Sequence, residues 1–441
     1  MVAMDRNFCH TCWRGVEIAH PADWELIAAS AFGEPGSCVF ADRRQERLKV
    51  QWRPLKHAPH LKKMLEEKRR KPEDDIAILS EQPPGWHGTV EAVNPGFVVH
   101  AGRFFAEPRL LLEAVLLWPG KRDRNTENAV LTRLRPTPDT ETGAQRTWQA
   151  MGLRVKVGSD CDLLRFKSDV GRTVWEFGPR SGKTPVLGVR RLAMPNYWLT
   201  VPLDEWLDTQ LDTPWRKKFR KRTLVNGHTA ARRISVGQSR IRDKLKERER
   251  VRVDVAWQCP VEDRVYHLHY EETTTAHEVF VPDHVAVECC APYRPPDGAE
   301  KTRRPGKKRA ASRERGAQSA PSTADILEAV PMVNRVANIS RGSRGGALAQ
   351  VPLRKPWYLG GPVRWVFPVP DTRSVKLDVL GVTVLDLCDG IRTVERIILE
   401  FALRHRLSFV EAQKPVMEYM RQLVQRGILA VAGLQESNRE S

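Results

Sequence analysis

The sequence predicts an α+β protein: two β-rich, helix-flanked units in tandem, a disordered basic linker, and a small C-terminal winged-helix module. Three observations predict it. Short alternating apolar runs, punctuated by Gly, Pro, Asn and Asp, recur between residues 15 and 292. Residues 293–354 turn rich in Pro, Gly, Ser and like charge, with little to bury. The segment 375–427 then joins an alternating run to an Asp-Gly turn and two amphipathic helical stretches.

At 441 residues the chain exceeds one ordinary core, and its 13 tryptophans supply material for several. The formal charge of +18 is local. Arg216–Arg252 holds 15 Lys/Arg against 3 Asp/Glu, and Glu300–Gly316 holds 8 against 2, which accounts for the whole surplus. That distribution excludes a surface that coats nucleic acid throughout, and leaves weak nonspecific polyanion contact through 216–252 and 300–316. The most apolar run, Leu110–Trp118, contains Glu113 and is too short to span a membrane. The opening MVAMDRNFCHTCWRG lacks the apolar centre of a signal peptide. Eight cysteines are too sparse for a disulfide scaffold. A cytoplasmic protein without membrane contact is expected.

In the first unit, 15–137, Cys38–Leu55 reads as a strand pair around Asp42-Arg43-Arg44. His60–Arg70 reads as a helix with Leu61, Met64 and Leu65 on one face. Trp86–Val99 and Phe104–Trp118 give strands, and Asn125–Leu134 a closing helix that buries Ala129, Val130 and Leu134. In the second unit, 145–292, Leu163–Val189 holds strands and Leu203–Leu211 a helix anchored by Trp206. Arg222–Ile234, Val251–Trp257, Arg264–Tyr270 and Glu278–Cys290 give further strands. Leu111–Asn125 and Arg250–Tyr266 each place a Trp after an alternating run, then a proline and a charged turn, an echo that suggests duplication. An antiparallel sheet with a helix on one side satisfies the pattern. In element order and Trp-Pro turn the first unit resembles the Mog/PsbP-like α/β fold, a curved sheet flanked by helices, which implies no catalytic activity.

The linker is assigned to 293–354, with Asp325–Ala337 as a short helical or docking segment inside it. The last module spans 357–435. Val363–Phe367 and Val375–Asp378 alternate and read as an antiparallel pair with Pro370-Asp371 near the turn. Thr393 caps a helix to Arg404 with Val394, Ile397, Ile398 and Phe401 on one face. Ser408 to Glu411 has the capping-box pattern and opens a helix whose apolar face is Val416, Tyr419, Met420, Leu423 and Val424. Gly427 stops it, and Ile428–Val431 forms a final wing.

LDVLGVTVLDLCDGIRTVERI resembles the PqqD family, the small peptide-binding chaperones of ribosomally made, modified peptides. The family's strand, Gly-containing helix, Asp-Gly turn and Thr-Val helix start fall at Val375–Leu377, Gly381–Leu387, Asp389-Gly390 and Thr393-Val394. Leu385 stands where the family often has an aromatic, and Pro415 lies inside the last helix, where it removes a backbone hydrogen bond. The resemblance implies a non-catalytic adapter that needs no cofactor. It would recognise an extended peptide by β-augmentation along Val375, Lys376, Leu377 and Asp378, against Met417, Met420, Arg421 and Val424. A precursor peptide or a modification enzyme is the implied partner.

Two other readings compete. A nucleic-acid-binding protein would use the winged helix and the basic stretches, RKKFRKR and Arg232-Arg233 meeting phosphates. The last helix offers it only Lys414, Arg421 and Arg426 against Glu411 and Glu418, and Phe219 is the only aromatic between Arg216 and Trp257. A metal-dependent enzyme would be housed in the N-terminal units. Cys9-His10-Thr11-Cys12 is the only CxxC, with Cys259, Cys289 and Cys290 as remote partners, and His267, His269, His277 and His284 lie close in sequence. Incidental thiols and ordinary surface histidines are the simpler expectation, so no catalytic or metal-binding residue is assigned.

Overall fold

The computed structural model divides the chain into two compact units, Met1–Tyr293 and Arg294–Ser441. The structure describes residues 8–31, 35–61, 63, 76–78, 83–137, 145–169, 171–182, 184–210, 215–237, 248–275, 281–290, 323–342, 345–352 and 372–432.

The first unit begins with β1 (Phe8–Trp13), β2 (Val16–Pro21), β3 (Glu25–Ala29), β4 (Gly36–Ala41), β5 (Glu46–Pro54), β6 (Ile76–Ile78), β7 (His87–Ala92), β8 (Phe97–Phe105) and β9 (Leu110–Trp118). Helix α1 (Arg124–Arg133) follows, then β10 (Arg135–Pro136), β11 (Gln145–Ala150), β12 (Leu153–Gly158), β13 (Cys161–Asp169), β14 (Arg172–Pro179) and β15 (Leu187–Ala193). Short helices α2 (Pro195–Trp198) and α3 (Leu203–Thr209) lead into β16 (Arg216–Val225), β17 (His228–Gly237), β18 (Glu249–Cys259), β19 (Arg264–Thr274) and β20 (Ala286–Glu288).

These strands assort into three antiparallel sheets. The two seven-stranded sheets run β3-β4-β5-β9-β8-β7-β6 and β13-β14-β15-β19-β18-β17-β16, the same order with every strand number raised by ten. The six-stranded sheet runs β10-β2-β1-β11-β12-β20, and the same offset exchanges its two ends. Residues 15–137 and 145–292 are therefore not separate bodies, as the sequence suggested. β1, just ahead of residue 15, pairs with β2 of the first stretch and with β11 of the second, so one six-stranded sheet holds strands of both. One apolar core runs through all three sheets, with Trp13 edge-on to Trp148 at 5.5 Å and to Trp175 at 5.6 Å. The Trp-Pro echo aligns the wrong strands. Trp118 ends β9, whose counterpart in strand order is β19, whereas Trp257 lies on β18.

Cys38–Leu55 forms the expected pair, β4 with β5. α1 is capped by Asp123, which accepts the N–H groups of Asn125 and Thr126, and it buries Val130 and Leu131. α3 is anchored by buried Leu207, and Trp206 is only partly covered, resting on Trp198 and edge-on to His267. Most of the helix expected over His60–Arg70 lies outside the described residues.

The second unit comprises α4 (Thr323–Glu328), β21 (Val330–Val333), β22 (Asn338–Arg341), β23 (Ala347–Pro352), β24 (Thr372–Leu377), α5 (Val379–Leu387), α6 (Val394–His405), α7 (Phe409–Gln425) and β25 (Leu429–Ala432). β21 pairs with β25, and β22-β23-β24 form a second small sheet. The linker boundary moves accordingly. Residues from 323 onward fold into this unit, because Leu327, Ala347 and Ala349 bury in its core and β21 and β23 find strand partners. Residues 293–322 and the strand expected at Val363–Phe367 lie outside the described residues; the described partner of β24 is β23. The predicted caps are present. Thr393 Oγ1 accepts from Arg396 N–H at 3.3 Å, and Ser408 and Glu411 form a reciprocal capping box. α7 continues through Pro415, and Gly427 ends it at φ +72°.

Candidate functional site

In the second unit the alternation of β24 sends Val375 and Leu377 into the core and Ser374 and Lys376 outward. β24 pairs with β23 along its whole length, and among the described residues nothing pairs with its other side. Asp378 then joins three elements. One carboxylate oxygen accepts the Gly381 N–H at 2.7 Å, capping α5, and the other accepts the Tyr419 hydroxyl of α7 at 2.6 Å. Burial, followed by the bond to Asp378 and its charge, holds the Tyr419 phenol above its ordinary value. Glycine at 381 lets the Tyr419 ring approach closely: a Cβ there would stand 3.0 Å from it.

On α7, Val416, Met420 and Leu423 are buried, Met417 is half-buried, and Arg421 and Val424 are exposed. Arg421 grips Glu418 through two hydrogen bonds, 2.8 and 2.5 Å. Those bonds, then one from Gln422, hold the Glu418 carboxyl down to about 2. Among the eight residues expected to meet a peptide, Val375, Leu377 and Met420 thus commit their side chains to the core. Lys376, Asp378, Arg421 and Val424 remain at the surface. Exposed Val379, at the first turn of α5, was not anticipated; an apolar residue directly after an N-cap aspartate is the signal that marks it.

The first unit carries a different constellation. Arg233 of β17, Arg252 and Asp254 of β18, and His267 and His269 of β19 are all buried. Asp254 accepts from Arg233 Nη2 at 2.8 Å, from Arg252 Nε and Nη2 at 3.1 and 3.0 Å, and from His267 Nε2 at 2.9 Å. Burial opposes ionisation of Asp254. The hydrogen bond from His267 and the charges of Arg252 and Arg233 outweigh that and hold the carboxyl well below the usual carboxylate range. Arg233 also donates to the Leu207 carbonyl, fixing α3 over the cluster. Beside it, a cleft of about 480 Å³ between α3 and β16–β17 is lined by Asp204, Asp208, Arg220, Arg222 and Arg232.

This arrangement corrects two expectations. His267 and His269 do face one side of a strand, but that side is interior, so they are not surface histidines. Arg233 and Arg252 are buried in ion pairs, and Arg220 pairs with Asp204 and Asp208, so these arginines are spent within the fold and are not held out to phosphates. Asp254, His267 and His269 bring donor atoms within 4.8 Å of one another, yet the two guanidiniums on Asp254 would repel a divalent cation. Cys9 and Cys12, three apart on β1, point to opposite faces and join no donor cluster among the described residues. Cys259, Cys289 and Cys290 do converge, with His228. His277 and the basic run 300–316 lie outside the described residues. No described helix is long and apolar enough to cross a membrane.

The family comparison bears on the C-terminal module, where the strand, the Asp378 junction and the two capped helices coincide. Residues 365–429 match the family of coenzyme PQQ synthesis protein D, PqqD. The match takes in β24, α5, α6 and α7 and ends at Leu429, the first residue of β25. The elements that complete the two small sheets of this PqqD-like module, β21 to β23, precede the matched segment. No curated protein matches the chain. Two solved structures of immunity protein TplEi of T6SS from Pseudomonas aeruginosa are similar to it at 12% identity and a TM-score of 0.25. The complex with "L" peptide covers 63% of this chain and 92% of that one, and the apo structure 64% and 97%.

Proposed function

We propose that the protein is a non-catalytic peptide- or protein-binding adapter whose PqqD-like module receives an extended segment along β24. The observation that carries this reading is the coincidence of the PqqD match with β24, which among the described residues pairs on one side only and is followed by Asp378, the acceptor of the Tyr419 hydroxyl of α7. An extended peptide would add to the strand through backbone hydrogen bonds, and Lys376, Met417, Arg421, Val424 and Val379 would select its side chains. Lys376, outward on that edge, also discourages pairing between copies of the module. The partner would be a precursor peptide or a modification enzyme. A strand, three helices and a closing strand in this order support a winged-helix description of the module. In the first unit, the identical strand orders support an internal duplication and a role as scaffold or second binding surface.

Selection of peptides from a random display library on the full-length protein tests the proposal. An enriched peptide should slow hydrogen exchange in β24. Its affinity should fall tenfold or more, about 1.4 kcal/mol, in Met417→Asp and Val424→Asp. Arg222→Glu, in the other unit, should leave it unchanged. Undiminished affinity in both α7 variants, with protection elsewhere than β24, would overturn the reading.

A further inference from the structure

The geometry points to a structural zinc site of three cysteines and one histidine in the first unit: His228, Cys259, Cys289 and Cys290. They come from separate places in the chain. His228 opens β17, Cys259 closes β18, and Cys289 and Cys290 directly follow β20. Their donor atoms all lie within 4.8 Å of one another. Cys290 Sγ stands 3.7 Å from Cys259 Sγ and 3.8 Å from Cys289 Sγ, and 2.9 Å from His228 Nε2.

Those separations decide between readings. A tetrahedral ion with Zn–S bonds of about 2.3 Å sets its sulfurs about 3.8 Å apart, the spacing seen for both pairs. A disulfide needs about 2.05 Å, so neither pair is bonded. A zinc–imidazole bond of about 2.0 Å places nitrogen about 3.5 Å from each sulfur, so the ion requires only a small opening of the His228–Cys290 contact. One neighbour is placed to support a sulfur ligand. Asn226 Nδ2 donates to Cys289 Sγ at 3.3 Å and to the Val287 carbonyl at 2.7 Å, supporting a sulfur ligand from outside the cluster. Asn226 can do so because Asn226-Gly227 is a tight hairpin turn between β16 and β17, with both residues at positive φ. Cys290 is itself held at φ +70°, a conformation that turns two adjacent cysteines toward one centre.

Four protein donors leave no open position, so the ion would be structural. Binding would release the three thiol protons to solvent and involve no electron transfer. Its effect follows from topology. β17 and β18 belong to a seven-stranded sheet and β20 to the edge of the six-stranded sheet, so the ion staples one sheet to the other. β20 has only three residues to hold it otherwise.

The full-length protein, purified reduced and without chelator, should contain one zinc per chain by plasma mass spectrometry. Cobalt substituted for zinc should show the thiolate charge-transfer band and the intense visible bands of a tetrahedral cysteine-rich site. His228→Cys and Cys290→His keep four ligands and should keep one metal, while moving the cobalt spectrum in opposite directions, toward four-sulfur and two-sulfur ligation. Cys259→Ser should lose most of the metal, and Cys9→Ser with Cys12→Ser should lose none. A protein that takes up neither metal, a cobalt spectrum unmoved by His228→Cys and Cys290→His, or a Cys259–Cys290 or Cys289–Cys290 disulfide in freshly isolated protein would each overturn the assignment.

Discussion

Replacing Asp254 by alanine should cost the first unit about 3 kcal/mol, the lower end of the range for breaking a buried ion pair. Asp254 has no exposed side-chain surface and faces two guanidiniums and an imidazole. Removing it strands Arg233, which is 1% exposed, and Arg252, which is 5% exposed. Each keeps a fallback: Asp208 lies 3.7 Å from Arg233 and Glu271 3.7 Å from Arg252, which is why the lower end applies. Urea unfolding of the full chain followed by tryptophan fluorescence is a suitable assay, because every tryptophan except Trp357 and Trp365 lies in the first unit and Trp206 rests on His267. A second variant separates lost attraction from stranded charge. Replacing Arg233 and Arg252 by methionine and Asp254 by leucine together removes all three charges, and should cost less than Asp254→Ala alone. If Asp254→Ala lowers the unfolding free energy by less than about 1 kcal/mol, or the triple variant is the less stable of the two, Asp254 is not the anion that holds the two buried guanidiniums.

Two further outcomes follow from buried polar groups and caps. Burial above all pushes the His20 imidazole down to about 4, and burial likewise lowers His267 and His269. Unfolded histidine titrates near 6.5, so below that pH the unfolded chain takes up protons that the native one refuses. Stability is therefore full above about pH 6.5 and falls as the pH is lowered toward 4, with His20 alone costing about 2 kcal/mol at pH 5. His20→Gln should flatten the urea-midpoint profile between pH 7 and 5, read from the same fluorescence. In the second unit, Ser408→Ala removes the oxygen that accepts Glu411 N–H at 3.2 Å; it should destabilise α7 by about 1 kcal/mol and speed hydrogen exchange in its first turn.

Features specified within one turn of chain were legible in the sequence. Thr393, the Ser408–Glu411 box and Gly427 act on neighbours three or four residues away, so the residues name the structure directly. Pairing was not legible. Alternation says which side chains share a face and is silent on the partner strand, so nothing in the sequence signals that β23 pairs with β24 and sets Val375 opposite Ala349. The linker was drawn too long for a related reason. Within 323–352, Leu327, Ala329, Ala347 and Ala349 bury, and β21 and β23 find their partners in β25 and β24, far along the chain. The buried ion cluster was hidden most deeply. Arg252-x-Asp254 and His267-x-His269 carry the alternation of a solvent face, and only α3, brought over them through Arg233 and the Leu207 carbonyl, makes that face interior.

The same geometry reassigns much of the chain's basic charge. Arg216–Arg252 stands out in the sequence as a polycation, but four of its described arginines are answered in space. Arg220 meets Asp204 and Asp208, Arg233 and Arg252 meet Asp254, and Arg250 meets Glu271 while lying 4.8 Å over the Trp215 ring. Planar guanidiniums suit these bidentate, stacked and buried roles, which lysine fills poorly. The acids that answer them sit on α3, β18 and β19, so a charge count over a window of sequence sees one partner of each pair and misses the other. Among the described side chains of the stretch, Arg216, Lys221, Arg222 and Arg248 remain exposed outside these pairs. Arg220 and Arg233, the two that reach α3, hold that helix on its sheet, a role complete without any polyanionic partner.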